Sequence, residues 1–329
     1  MNLRRSLNVY NKEEFMKKQL VIIAGPTACG KTDTAIMLAK KINGEIISAD
    51  SMQVYKYMDI GTAKVTQDEM EGVKHYLIDE LMPDEEFNVM IFQQKAKNYI
   101  EEIYAKGKIP IIVGGTGFYI NALVYDNNFM STDNDLSIRN KLMEEVEEKG
   151  EEFVYQKLKE IDPEYANIVH HNNVKRVVRA IEYYCQTGQK MSQHNKEAKQ
   201  RKSPYDVSFV VLNMERGKLY ERINSRVDLM VKGGLLEEVK DLLNRGYSAD
   251  LVSMQGLGYK EFVPYFNGEI TLETAIEELK QGTRHFAKRQ LTWFRRQARG
   301  LWIDLTNKDK MTAVNEIVKY INSDKDSDL

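Results

Sequence analysis

The apolar run Leu20-Val21-Ile22-Ile23-Ala24 leads directly into Gly25-Pro26-Thr27-Ala28-Cys29-Gly30-Lys31-Thr32 and then into a helical pattern from Asp33 to Lys41. The middle stretch is a complete G-x-x-x-x-G-K-T loop, and strand, glycine-rich turn and helix is the context that such a loop needs. Gly25 and Gly30 let the backbone bend so that successive N–H groups point inward. The helix N-terminus adds its dipole, Lys31 adds a full charge, and the Thr32 hydroxyl can hold Mg²⁺. An ordinary tight turn would not need these flanks. The feature therefore predicts an α/β sheet edge that binds a diphosphate or a triphosphate.

The loop does not say whose phosphates it binds. A second apolar run, Glu45-Ile46-Ile47-Ser48-Ala49, ends at Asp50 and is followed by Ser51-Met52-Gln53-Val54-Tyr55. In a parallel sheet the carboxyl ends of the strands share one edge, so Asp50 is expected to project toward the phosphate site. A carboxylate there can order Mg²⁺-bound water or take a proton from a nucleophile. Small-metabolite kinases also place an Asp in this region, so the position alone leaves the chemistry open.

Short β-rich runs alternate with helical patterns, which indicates a parallel sheet covered on both faces. The expected strands are Leu20–Ala24, Glu45–Ala49, His75–Ile78, Pro110–Gly114, Phe209–Leu212 and Leu301–Asp304. Phe87–Lys106 reads as a crossover helix with Phe92, Ala96, Tyr99 and Ile103 along one side. Between residues 122 and 205 strand signals vanish, which predicts a helical insertion; Pro204 marks a plausible exit because proline disfavours helix before it. Residues 1–15 read as an extension without order, with Met16 a possible initiator, and residues 307–329 as a tail that is helical and then disordered.

With 329 residues, 42% of them hydrophobic, the chain can bury a sizeable core. No apolar run approaches the ~20 residues of a membrane span. Residues 1–15 lack an apolar segment and include Glu13 and Glu14, so no secretory signal is expected and the location expected is the cytoplasm. Two cysteines and five scattered histidines provide neither a disulfide framework nor a zinc site. Net charge is only −2 but unevenly spread. Acid gathers at Glu144–Glu152; base gathers at Lys175, Arg176 and Arg179, from Lys190 to Lys202, and from Lys280 to Arg299, which lacks Asp and Glu. In that last segment Arg284, Lys288 and Arg295 share one helical face, while Phe286 and Trp293 occupy another. A solvated basic face beside a core-facing aromatic stripe is one reading; phosphate contact is the other. Gly114-Gly115-Thr116-Gly117-Phe118-Tyr119 follows another strand, where its glycines could offer backbone donors or simply permit close packing. Arg222 and Arg226 lie one turn apart on the helix that begins near Leu219.

These motifs, in this order, resemble the tRNA dimethylallyltransferase family: the phosphate loop, Ser48-x-Asp50-Ser51-x-Gln53-x-Tyr55, Met58-Asp59-Ile60-Gly61-Thr62-Ala63-Lys64, Gly114-Gly115-Thr116-Gly117-x-Tyr119, Val177-x-Arg179-Ala180-Ile181-Glu182, Gly256-Leu257-Gly258-Tyr259-Lys260, and Thr283-Arg284-x-x-Ala287-Lys288-Arg289-Gln290-x-Thr292-Trp293. The similarity runs from Lys17 to Asp304. It implies a P-loop NTPase-like parallel sheet with helices on both faces, formed by residues 16–121 and 206–306, and a helical insertion domain at 122–205. It also implies transfer of a dimethylallyl group from dimethylallyl diphosphate to N6 of the adenosine 3′ of the anticodon, position 37, in tRNA, with Mg²⁺ and no ATP.

By the same resemblance the catalytic residues are Asp50, Thr27, Lys31 and Arg226. The diphosphate is held by Gly25, Pro26, Thr27, Ala28, Cys29, Gly30, Lys31 and Thr32, with Thr32 on the metal. The tRNA anticodon stem-loop is met by Asp50, Ser51, Met52, Gln53, Thr116, Arg139, Lys175, Arg176, Arg179, Gln255, Lys260, Arg284, Lys288 and Arg289, and a slot near Phe118 and Tyr119 receives the flipped base. The protein is expected to act as a monomer without a membrane. Cys29 stands where the family usually has Ser. Its thiol is expected either to lean toward thiolate in the positive potential of the loop or to be a buried, inert spacer. An adenylate isopentenyltransferase and a P-loop small-molecule kinase would share the core. Neither explains both the insertion and the basic Lys280–Arg299 segment, and a non-catalytic RNA-binding protein would not require the loop with Asp50.

Overall fold

A computed structural model of the chain describes residues 17–126 and 137–323; the expectations for the first fifteen residues and for the end of the tail lie outside them. The sheet-bearing part runs β1 (Gln19–Ala24), α1 (Lys31–Ile42), β2 (Gly44–Ser48), β3 (His75–Tyr76), α2 (Val89–Ala105), β4 (Ile109–Gly114) and α3 (Gly117–Val124). Five helices follow, α4 (Ser137–Lys149), α5 (Glu151–Ile161), α6 (Pro163–Ala166), α7 (Val174–Thr187) and α8 (Met191–Gln200). The chain then returns with β5 (Asp206–Asn213), α9 (Arg216–Lys232), α10 (Leu235–Asn244), α11 (Val263–Phe266), α12 (Leu272–Gln297), β6 (Leu301–Asp304) and α13 (Lys310–Asn322).

The chain divides into two compact units, one of residues 1–124 and 203–329 and the other Tyr125–Lys202. The second is helical, with a core of Leu142, Val154, Leu158, Val177, Val178 and Ile181. Among the described residues no helix is long and apolar enough to cross a membrane.

Among the described residues six strands pair in parallel, in the order β3-β2-β4-β1-β5-β6. Leu20 to Ala24 are wholly buried, as a central strand covered on both faces requires. Val21 and Ile23 pack with Ala35 and Leu38 of α1 and with Val314 and Ile317 of α13. α2 packs on β2 and β4. Its N-terminus is set by Asn88, whose side chain accepts from the N–H groups of Met90 and Ile91. The buried stripe of α2 is Phe92, Ala96, Ile100 and Ile103 rather than one through Tyr99. Tyr99 turns half outward, and its hydroxyl donates to Glu80 at 2.8 Å. An aromatic residue with a polar tip settles where that tip finds an acceptor.

Register brings the site together. Ala24 pairs with Gly114 on one side and with Val211 on the other, and Ser48 pairs with Val113. The loop after β1, the turn after β4 and Asp50 beyond β2 therefore leave the sheet at one level. β1 is also the switch point, since the chain proceeds from it to β2 on one side and later reaches β5 on the other, which opens a crevice at the carboxyl edge. Two glycines allow the close approach: a Cβ on Gly25 would lie 2.4 Å from the Leu212 carbonyl oxygen, and one on Gly114 2.2 Å from that of Ala49.

Candidate active site

The loop enters α1 through Gly30 in the left-handed region (φ 96°), and Ala28 before it also has positive φ (63°). A non-glycine residue held there signals a backbone shaped for more than chain reversal. Lys31 folds back so that Nζ donates to the Pro26 carbonyl at 2.7 Å. One cavity takes in Thr27, Ala28, Gly30, Lys31, Thr32, Asp50, Gln53, Arg222 and Arg226. Thr32 is exposed and its hydroxyl makes no hydrogen bond among the described residues.

The electrostatics favour an anionic ligand. Burial pushes the Lys31 ammonium below its ordinary range, with Asp50 and Cys29 opposing the shift. Burial, then Arg222, lowers Arg226. Neither Arg222 nor Arg226 has an ion-pair partner among the described residues. Cations desolvated by burial, as Lys31 and Arg226 are, suit an anionic ligand. Burial raises Asp50, partly offset by the Met52 N–H that its Oδ1 accepts at 2.9 Å and by Lys31. The Gln53 N–H also bonds to the carboxylate, which borders the cavity where a proton acceptor would be placed.

Cys29 resolves toward the buried spacer. It is 1% exposed, and burial pushes its thiol up despite Lys31, Arg222 and Arg226 nearby. Desolvation of a thiolate outweighs the positive potential of the loop.

The expected basic and aromatic faces of α12 rearrange. Arg284 Nη1 donates to Asn224 of α9 at 2.7 Å and Nη2 to Glu277 at 2.9 Å, while Lys280 pairs with Asp228 at 2.7 Å. The segment lacks acid, but its neighbours supply it. Lys288 and Arg289 remain exposed. The core positions are Ala287, Gln290 and Phe294; Phe286 borders the cavity, and Trp293 packs over Gly117, where a Cβ would lie 2.2 Å from the indole. The turn glycines thus serve close packing. Tyr119 is buried, stacked on Phe92 at 4.9 Å between ring centroids, whereas Phe118 is 52% exposed. Of the expected slot pair, only Phe118 is open.

Other expected contacts lie elsewhere. The Thr116 carbonyl accepts from Tyr119 and Ile120 N–H, opening α3. Ser51 and Met52 are half-buried beside Asp50. Gln53 spends its amide on the carbonyls of Thr62 and Ala63, at 3.3 Å each. Gln255 and Lys260 border a separate depression with Glu261 and Glu278. Within the helical unit Arg139 and Arg179 both clasp the buried Glu182, at 2.9 and 2.8 Å, and Lys175 and Arg176 are exposed.

Sequence reasoning missed three supporting residues. Arg222 reads as an ordinary surface arginine until α9 turns it into the cavity. Gln290 sits in the buried stripe of α12, and a polar residue in an apolar stripe is the signal that a buried amide has partners. Glu238 of α10 accepts the N–H groups of Asp59, Ile60 and Gly61 at 2.7–2.9 Å and the Tyr259 hydroxyl at 2.8 Å. It clamps the segment whose Thr62 and Ala63 line the cavity.

The sequence model described as IPP transferase matches residues 53–297. The tRNA dimethylallyltransferase of Acetivibrio thermocellus is 52% identical over 302 residues, 92% of this chain and 96% of that protein. That of Clostridioides difficile is 52% identical over 308 residues, covering 93% and 98%. Among solved structures, the tRNA delta(2)-isopentenylpyrophosphate transferase of Staphylococcus epidermidis aligns with TM-score 0.70 and 45% identity over 93% of this chain and 99% of that one. A eukaryotic dimethylallyltransferase acting on tRNA aligns with TM-score 0.79 and 32% identity, covering 92% and 80%. With a phosphate loop, a strand-end carboxylate and unpaired cations in one crevice, and similarity over nearly its whole length, this chain belongs to the IPP transferase family.

Proposed function

We propose that the protein transfers a dimethylallyl group from dimethylallyl diphosphate to N6 of the adenosine 3′ of the anticodon, position 37, in tRNA. The observation that carries this reading is the single cavity in which Asp50 faces Lys31, Arg222 and Arg226 at the phosphate loop. The N6 lone pair attacks C1 of the donor, the C1–O bond breaks with its electron pair going to diphosphate, and Asp50 takes the N6 proton. An exocyclic amine is a weak nucleophile, so stabilising charge on the leaving diphosphate carries much of the rate. Loop N–H groups, Lys31 and the guanidinium of Arg226 do this, each such preorganised donor contributing roughly 3–4 kcal/mol by analogy with oxyanion holes. Thr27 contributes its hydroxyl, since its backbone N–H is already donated to Gln290 at 2.8 Å. The free Thr32 hydroxyl is a hard oxygen donor of the kind Mg²⁺ takes along with substrate phosphates, and the ion would add neutralising charge there. The anticodon stem-loop is met by exposed cations such as Lys288, Arg289, Lys175 and Arg176.

The relatives' names support tRNA as acceptor, and the helical unit gives the chain surface that a free-nucleotide enzyme does not require. The test incubates the protein with labelled dimethylallyl diphosphate or labelled ATP, each with bulk tRNA or with AMP. Label should pass from the prenyl donor to tRNA and co-chromatograph, after digestion, with a prenylated adenosine. Transfer to AMP alone, or from ATP, would refute the reading.

A further inference from the structure

One buried side chain joins two of the loops that line the cavity. Gln290 lies on α12 and is 7% exposed. Its Oε1 accepts the Thr27 N–H of the phosphate loop at 2.8 Å, and its Nε2 donates to the Gly115 carbonyl, in the turn after β4, at 3.1 Å. Position 115 has no side chain for a reason tied to this bridge: a Cβ there would lie 2.0 Å from Gln290 Nε2. The two loops leave adjacent strands at one level, since Ala24 pairs with Gly114, yet across this gap they are joined through the Gln290 amide. An amide is suited to the task because it offers one acceptor and one donor at opposite corners; a carboxylate or a thioether satisfies one loop or neither. The same helix carries Lys288 and Arg289 on its exposed surface.

We infer that Gln290 is a positioning residue that fixes the spacing between the phosphate loop and the turn after β4, both of which line the cavity. The inference rests on the prenyl-transfer reading above. Gln290 borders the cavity, but both ends of its amide are spent on the Thr27 N–H and the Gly115 carbonyl, so its effect is exerted through those two loops. Near-attack geometry tolerates little slack, and a displacement of ~1 Å can cost about 10²-fold in rate. Gln290 should therefore influence turnover far more than the binding of either ligand alone.

The test compares wild type, Gln290→Met, which keeps the length of the side chain but neither hydrogen bond, and Gln290→Glu, which keeps the acceptor for Thr27 but loses the donor to Gly115. Single-turnover transfer, pyrophosphate affinity, tRNA affinity and melting temperature are measured on the full chain. Expected for Gln290→Met is a rate loss of roughly 30-fold or more with each affinity within about threefold of wild type, a split that marks an interaction used in the transition state. Gln290→Glu should also lose rate while retaining tRNA affinity. A Gln290→Met rate within about threefold of wild type, or a rate loss matched by equal losses in both affinities, would overturn the inference. If Gln290→Met does not fold, Gln290→Glu decides by the same criteria. Absence of transfer by the wild-type protein would instead sink the proposed function, so the two failures are distinguishable.

Discussion

Asp50→Asn isolates the proton-accepting role of the cavity carboxylate. The Asn Oδ1 can keep the 2.9 Å bond from the Met52 N–H, so the local turn survives, while the second oxygen is replaced by an amide that cannot take a proton. Positioned general bases contribute about 10²–10⁴-fold, or roughly 3–5 kcal/mol at ~1.36 kcal/mol per decade. The single-turnover rate should fall within that range while tRNA affinity changes only a few-fold. Stability should move the other way. Burial raises the Asp50 pKa in the folded protein, so its stabilising contribution is full below the unfolded value and is lost as pH rises through the folded one. At neutral pH the ionised carboxylate is a burden, and Asn removes it; the melting temperature should rise by about 1–3 °C. The wild-type rate should climb with pH through an inflection above the ordinary Asp range of about 4, and the variant should lack it. Rapid-quench transfer with labelled donor across pH, alongside thermal melts, reads all three quantities. A variant rate within about threefold of wild type at neutral pH would refute the reasoning.

Three further outcomes are expected. Iodoacetamide should modify the exposed Cys185 and leave Cys29 intact in native protein; rapid loss of Cys29 by mass mapping would mean that the loop opens far more than its burial indicates. Glu238→Gln keeps one oxygen for two of the four donors on Glu238 and should cost about 2–4 kcal/mol, visible as a lower denaturation midpoint; an unchanged midpoint would remove the clamp. Arg226→Lys keeps the charge but loses the fork, so calorimetry should show pyrophosphate binding weakened about tenfold, ~1.4 kcal/mol, and unaltered affinity would place Arg226 away from the phosphates.

The sheet was legible because its longer strands are largely apolar runs closed by turn signals, although β3, expected over His75–Ile78, pairs only at His75 and Tyr76. The phosphate loop was legible because its residues act through their own local backbone. Asp50 was legible from a general property of parallel sheets. What stayed hidden depends on which faces long helices present. In α12 the spacing of Phe286 and Trp293 suggests a core stripe, but the helix buries Ala287, Gln290 and Phe294. A face offset by one residue fits the pattern nearly as well, and only the small residues of the turn at Gly115 and Gly117 select between them. Arg284 reads as free because its acid partner Glu277 lies just outside the acid-free window and Asn224 lies on another helix. Long-range partners of this kind carry no local signature. Glu238 shows the same limit, since its three backbone donors lie in a distant segment.

The cavity also explains how one loop type can serve a reaction in which phosphate departs rather than being transferred. Burial depresses Lys31 and Arg226 below their ordinary ranges and raises Asp50, so each charged form is held at a cost. On the proposed mechanism a bound diphosphate would relieve the two cations and, through its charge, make ionised Asp50 still less comfortable. The donor would thereby strengthen the base that accepts the N6 proton. Charge then grows on the diphosphate as C1–O breaks, beside cations already oriented, while the carboxylate is neutralised by the proton it gains. Both changes relieve the strain that burial imposed, which is the differential binding a transition state requires.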